Sequence, residues 1–100
     1  MIFELVNIGE DRELLKELRE ITKNKGNWNV VINEVAAKLN ENHSDDVKAK
    51  VLWLLGEMGL NYPKQVEAYI IDIAFCLDDE HPKIRERAVN ALGRIGRADK

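Results

Sequence analysis

A thirteen-residue pattern occurs twice in this chain. Val47-Lys48-Ala49-Lys50-Val51-Leu52-Trp53-Leu54-Leu55-Gly56-Glu57-Met58-Gly59 aligns without a gap on Ile84-Arg85-Glu86-Arg87-Ala88-Val89-Asn90-Ala91-Leu92-Gly93-Arg94-Ile95-Gly96 at a shift of 37 residues. Hydrophobes, basic residues and both glycines fall in register. The preceding segments match as well: Trp28, Val31, Ile32, Val35, Ala36 and Leu39 correspond to Val66, Tyr69, Ile70, Ile73, Ala74 and Leu77 at a shift of 38. Within each set the spacing is that of one buried helical face. A period of this length marks a unit that cannot bury its apolar face alone and must stack on its neighbours.

A weaker copy precedes these two. Leu14, Leu15, Leu18 and Ile21 stand 37 residues before Val51, Leu52, Leu55 and Met58, with Arg19 and Thr22 in place of the glycines. Such degeneracy suits a terminal capping repeat, whose outer side meets water. The spacing predicts helices over 2–8, 11–23, 28–40, 45–58, 63–77 and 82–95, with Gly9-Glu10-Asp11 as a turn. Asn27 and Ser44 are placed as N-caps, and Pro63 and Pro82 suit a first helical turn, where a missing N–H costs little. Gly59 and Gly96 are expected to end their helices in the left-handed conformation. Gly56 and Gly93, one turn earlier, are expected to admit a neighbouring helix. No segment alternates with period two, so no sheet is expected. The predicted fold is all-α, a right-handed α-α superhelix of stacked antiparallel helix pairs. It forms one domain over 1–100, comprising a capping repeat (1–23) and two full repeats (28–59 and 63–96).

Composition excludes several function classes. The chain has 100 residues and a formal net charge of −3, which disfavours a general nucleic-acid binder because displacing counterions from phosphates needs a basic footprint. The one cysteine, Cys76, lies in the apolar run Ile70 to Leu77 and reads as a small core hydrophobe in a reducing compartment. No stretch approaches the roughly 20 apolar residues of a membrane span. The N-terminus lacks the basic and apolar regions of a signal peptide. A cytoplasmic protein is expected.

The segment Pro82-Lys83-Ile84-Arg85-Glu86-Arg87-Ala88-Val89-Asn90-Ala91-Leu92-Gly93-Arg94-Ile95-Gly96 resembles the second helix of HEAT repeats of the short, lyase-type class, and Ser44 to Gly59 follows the same pattern less strictly. The resemblance covers about 28–96 well and 1–23 loosely. It implies a scaffold or adaptor, the usual role of such proteins. Related short-repeat proteins also attach bilin chromophores, hydroxylate with a di-iron centre or excise DNA bases. The His-Glu pairs that hold the iron in the hydroxylases are absent: here the order is Glu80-His81, and His43 follows Asn42. A basic concave face, which marks the glycosylase-like members, is disfavoured by a pI near 5.4.

Candidate chemistry is sparse. His43 and His81 occupy equivalent loops among Asp45, Asp46, Asp78, Asp79 and Glu80, but their spacing matches no zinc motif, and the acids suit helix N-termini. No phosphate loop or nucleophile elbow occurs, and the only serine, Ser44, is accounted for as a cap. Neither a catalytic residue nor a cofactor or metal site is assigned.

Binding has a better candidate. Trp53 falls off the buried arc formed by Val47, Val51, Leu54, Leu55 and Met58. In a HEAT-like stack the second helices line the concave side. Lys16, Trp53 and Asn90 would then form one row, flanked by Glu13, Lys50 and Arg87 and by Glu20, Glu57 and Arg94. The alternative is that Trp53 folds over a neighbouring repeat as packing. Trp28 reads as core.

Lys83, Arg85, Arg87, Arg94, Arg97 and Lys100 make the C-terminal end basic. Val89 and Leu92 would face a following repeat, which predicts either a longer array or self-association there. The expected function is a non-catalytic interaction or scaffold module for a protein or peptide. The alternatives are a nucleic-acid-binding module using the C-terminal basic residues and an enzyme-associated subunit of the lyase or hydroxylase class.

Overall fold

The computed structural model describes residues 2–98, with side chains from Asp11 onward. It is all-α: among the described residues there is no strand. Six α-helices follow in order, α1 (Ile2–Lys23), α2 (Trp28–Ala37), α3 (Asp45–Asn61), α4 (Pro63–Glu67), α5 (Ile70–Phe75) and α6 (Pro82–Ala98). A short 3-10 turn over Lys25–Asn27 leads into α2, and others over Lys38–Asn40 and Cys76–Asp78 follow the ends of α2 and α5. The molecule measures 47 × 30 × 17 Å between Cα extremes. Its smallest dimension is that of two helix layers, given a helix diameter of about 10 Å. No helix among the described residues is long and apolar enough to cross a membrane.

The 3.6-residue periodicity locates the core. Trp28, Ile32, Val35 and Ala36 of α2 are buried, as are Leu14 and Leu18 of α1, and Val66 and Ile73 of α4 and α5. At the centre lies α3, whose Val47, Val51, Leu52, Leu54, Leu55 and Met58 are all fully enclosed. Its most extensive partner is α6, which contributes Ile84, Ala88, Ala91 and Ile95. Trp28 closes the other end, its indole N–H donating to the Ile21 carbonyl at 2.7 Å.

Four local expectations are corrected. Residues 2–8 and 11–23 belong to one continuous helix, so Gly9-Glu10-Asp11 is not a turn. The Asp11 carboxylate serves a distant loop and leaves its own backbone helical. The helix expected over 63–77 is broken at Ala68–Tyr69. There the Tyr69 N–H bonds the Val66 carbonyl at 2.8 Å in a tightened turn, and the Tyr69 hydroxyl donates to Asn33 Oδ1. The aromatic and β-branched run Tyr69-Ile70-Ile71 favours helix only weakly.

Asn27 makes no side-chain cap, whereas Ser44 caps α3 as expected, accepting from the Val47 N–H. Finally, neither Gly59 nor Gly96 is a left-handed cap, since no described residue has positive φ. Pro63 stops α3 instead. A residue before proline is steered out of the helical region, and Tyr62 adopts φ −132°, ψ 58° while its N–H closes on Met58.

Candidate interaction surfaces

The glycines of α3 show how the repeats meet. A Cβ at Gly56 would lie 3.1 Å from the Ala91 Cα, and one at Gly59 would lie 2.5 Å from Ile95 Cγ1. Gly59 therefore admits α6 at a distance that a side chain would prevent, and Gly56 at one that a side chain would make tight. Gly56 meets the sequence-based expectation of close approach, and Gly59 proves to do the same work in place of capping. The equivalent pair on α6 behaves differently: a Cβ at Gly93 or Gly96 would meet nothing within 4 Å.

The apolar neighbours of these glycines differ in the same way. Leu52 is fully buried, while its equivalent Val89 is 57% exposed. Leu92, the equivalent of Leu55, is half-buried against the core. On α5, Ile71 and Phe75 are 73% and 75% exposed. Ile71 stands where the previous repeat has Asn33, the residue that reaches the next repeat through Tyr69. A cleft of about 270 Å³ between α4, α5 and α6, lined by Pro63, Glu67, Ile70, Leu92, Ile95 and Gly96, opens on this end.

The second surface is a groove of about 480 Å³ between α1, α3 and α6, lined by Leu15, Asp46, Ala49, Lys50, Trp53, Lys83 and Arg87. Of the row expected from the sequence, it brings Lys50, Trp53 and Arg87 together. Trp53 is half-buried and packs against the core while keeping a face to the groove, so the packing and binding roles coexist. The Lys50 Nζ lies 4.3 Å from the Trp53 ring centroid, close enough for a cation–π contact. Burial, and then the charges of Arg87 and Arg19, push the Lys50 ammonium below its ordinary pKa.

The remaining members of the row do not line this groove. Glu57 and Arg94 pair with each other at 3.5 Å. Lys16 pairs with Glu13 at 3.6 Å on the exposed side of α1, and Asn90 is exposed on α6.

Several C-terminal cations are tied locally. Arg85 donates to the Asp79 and Glu80 carbonyls at 2.7 and 3.1 Å, and Lys83 pairs with Asp46 at 3.8 Å. Lys100 lies outside the described residues.

Sequence reasoning missed one polar cluster. Asp11 is buried on α1, its Oδ2 accepting the Ser44 N–H at 2.7 Å and its Oδ1 standing 2.9 Å from His43 Nδ1. The other His43 nitrogen is 2.6 Å from Glu41. Burial works against the charged forms of both His43 and Asp11. The hydrogen bonds outweigh it, those to Glu41 and Asp11 raising the His43 pKa and those from His43 and Ser44 lowering that of Asp11. The hydrogen bond from His43 likewise lowers the pKa of Glu41.

The equivalent His81 is exposed and 3.7 Å from Asp45. Among the described residues no group of three or more His, Cys, Asp or Glu side chains is arranged to hold a metal ion. Cys76 is half-buried with its thiol against the Asp72 carbonyl; burial, then the Asp79 charge, pushes its pKa up, away from the reactive thiolate.

No family model, curated protein or solved structure matches the chain.

Proposed function

We propose that this chain is a short HEAT-like solenoid acting as a non-catalytic protein-interaction module, with a peptide or protein segment held in the Trp53 groove. One observation carries the reading: a large aromatic side chain, anchored in the core on one side, keeps a face to a cleft rimmed by cations. Anchored aromatics of this kind dominate binding energy in interfaces because they bring large contact area at little cost in ordering. The shared packing of α3 and α6 supports the solenoid reading, since the repeated residues of α3 contact the unit that follows.

Selection of a random dodecapeptide library on the immobilised chain tests the reading. Sequences enriched on the natural chain and lost on Trp53→Ala support it. Enrichment indifferent to Trp53, or no enrichment at all, sinks it. A melt of the variant, whose tryptophan is half-buried, separates lost binding from lost fold.

A second reading concerns the end of α6. Val89, Gly93 and Gly96 reproduce the positions through which α3 receives a helix, which favours a second copy of this chain seated on that face. Light scattering over a concentration series decides it. Mass rising above 11.5 kDa, and falling back in Val89→Glu, supports self-association. A constant monomer mass rejects it.

A further inference from the structure

The charges around Trp53 are out of keeping with the rest of the molecule. The chain as a whole is acidic, with a formal net charge of −3. Yet the groove is lined by Lys50, Lys83 and Arg87 against the single acid Asp46, and that acid is already paired with Lys83. Among the described residues, neither Lys50 nor Arg87 forms an ion pair, and the same holds for Arg19, whose charge acts on Lys50. These positive charges come from three different helices, so tertiary packing has gathered them. Holding them together without counter-charges is unfavourable: burial first, and then the charges of Arg87 and Arg19, lower the Lys50 pKa. An anion entering the groove would relieve that repulsion.

The groove also has an apolar floor. Leu15 and Ala49 lie beside Trp53, so a ligand must offer an apolar group as well as negative charge.

We propose that the Trp53 groove takes an acidic protein segment, its carboxylates paired with Arg87 and Lys50 and an apolar side chain set between them on Trp53, Leu15 and Ala49. This rests on the peptide-binding reading above and narrows it to one class of partner. A basic segment would add to the repulsion. A single-stranded nucleic acid fits less well, because the net negative charge of the chain opposes the approach of a polyanion. A short segment with two or three carboxylates meets the local cations without that long-range penalty.

The dodecapeptide selection supplies the test. Enriched sequences should carry an excess of Asp and Glu around one apolar residue. A synthetic peptide of that consensus should bind about tenfold more weakly to Arg87→Gln, the usual scale for losing one charge-assisted contact. Its affinity should be unchanged by Lys64→Gln, which removes a cation on α4 outside the groove. Lys64 is exposed and Arg87 half-buried, and melts of the two variants confirm the fold.

Enriched peptides that depend on Trp53 but carry no acidic bias overturn this proposal and leave the peptide-binding reading standing. Loss of selection altogether fails both. A single-stranded RNA or DNA dodecamer that displaces the peptide at physiological salt assigns the groove to nucleic acid and overturns the proposal as well.

Discussion

Leu52, Gly56 and Gly59 on α3 hold the same positions in the repeat as Val89, Gly93 and Gly96 on α6, yet one set is enclosed and the other lies open. In the α3 set Leu52 is fully buried, and α6 lies on both glycines: a Cβ at Gly59 would collide with Ile95 and one at Gly56 would be tight against Ala91. The α6 set has Val89 more than half exposed and both glycines facing open space. Pattern alone therefore does not confer stability. An apolar and glycine-lined stripe contributes only when a partner helix lies on it, because the gain is area removed from water and van der Waals contact. The same residues without a partner cost helix propensity and expose apolar surface.

Truncating the apolar member of each set should give the largest difference. Leu52→Ala removes a fully buried side chain and leaves a cavity, a loss of about 3 kcal/mol. Val89→Ala removes one that is mostly in water, a change under about 0.5 kcal/mol. Urea unfolding of the two variants measures both. Equal losses would break the comparison, since they would mean that Val89 is also covered in solution. A Val89 effect that grows with protein concentration would sharpen it by identifying the cover as another copy.

The glycines should differ in sign. Alanine gains up to about 1 kcal/mol over glycine inside a helix. At Gly96 and Gly93 nothing opposes that gain, so each substitution to alanine should stabilise by about 0.5–1 kcal/mol. At Gly59 the new methyl would collide with Ile95, a buried β-branched side chain with little freedom to move. Overpacking of this kind costs about 1–3 kcal/mol, leaving a net loss of about 1 kcal/mol. Gly56→Ala should lose less, because the contact with the Ala91 backbone is tight without being a collision. Stabilisation by Gly59→Ala would show that α3 and α6 separate more easily than their packing implies.

Strong periodicity made α2, α3 and α6 legible in the sequence, because burial on one face imposes a spacing that single residues cannot hide. What stayed hidden depended on contacts between distant segments. Gly59 looked like a helix end because glycine commonly caps helices, but the choice between cap and close approach rests on Ile95, 36 residues away. Asp11 looked like a turn residue because it follows Gly9, yet its carboxylate is held by His43 and Ser44 across the chain.

The candidate site was legible in part. The helical wheel turned Trp53 away from its own helix's buried arc. It could not show that Leu15 and Arg87 from other helices would wall it in while Lys16 and Asn90 fell outside. Net charge was misleading there too: an acidic chain lines this one groove with three cations and a single acid.

The loops that introduce α3 and α6 extend the comparison to a smaller effect. The Asp11–His43–Glu41 chain ties α1 to the start of α3, whereas His81 makes only an exposed contact with Asp45. The His43 pKa is raised above its ordinary 6.5, so the folded state binds its proton more tightly than the unfolded chain does. That contribution is complete below about pH 6.5 and disappears as the pH climbs through the folded value. Asp11 and Glu41 are lowered from 3.8 and 4.5, so theirs is complete above those values and is lost as the pH falls. The cluster should therefore stabilise most between about pH 4.5 and 6.5. Because His43 is only partly buried and its partner Glu41 is exposed, the decline towards pH 8.5 should be at most about 1 kcal/mol. Urea midpoints at pH 5.5 and 8.5 measure it: His43→Gln should flatten the difference. An undiminished decline in His43→Gln would show that the α1–α3 junction is not what titrates.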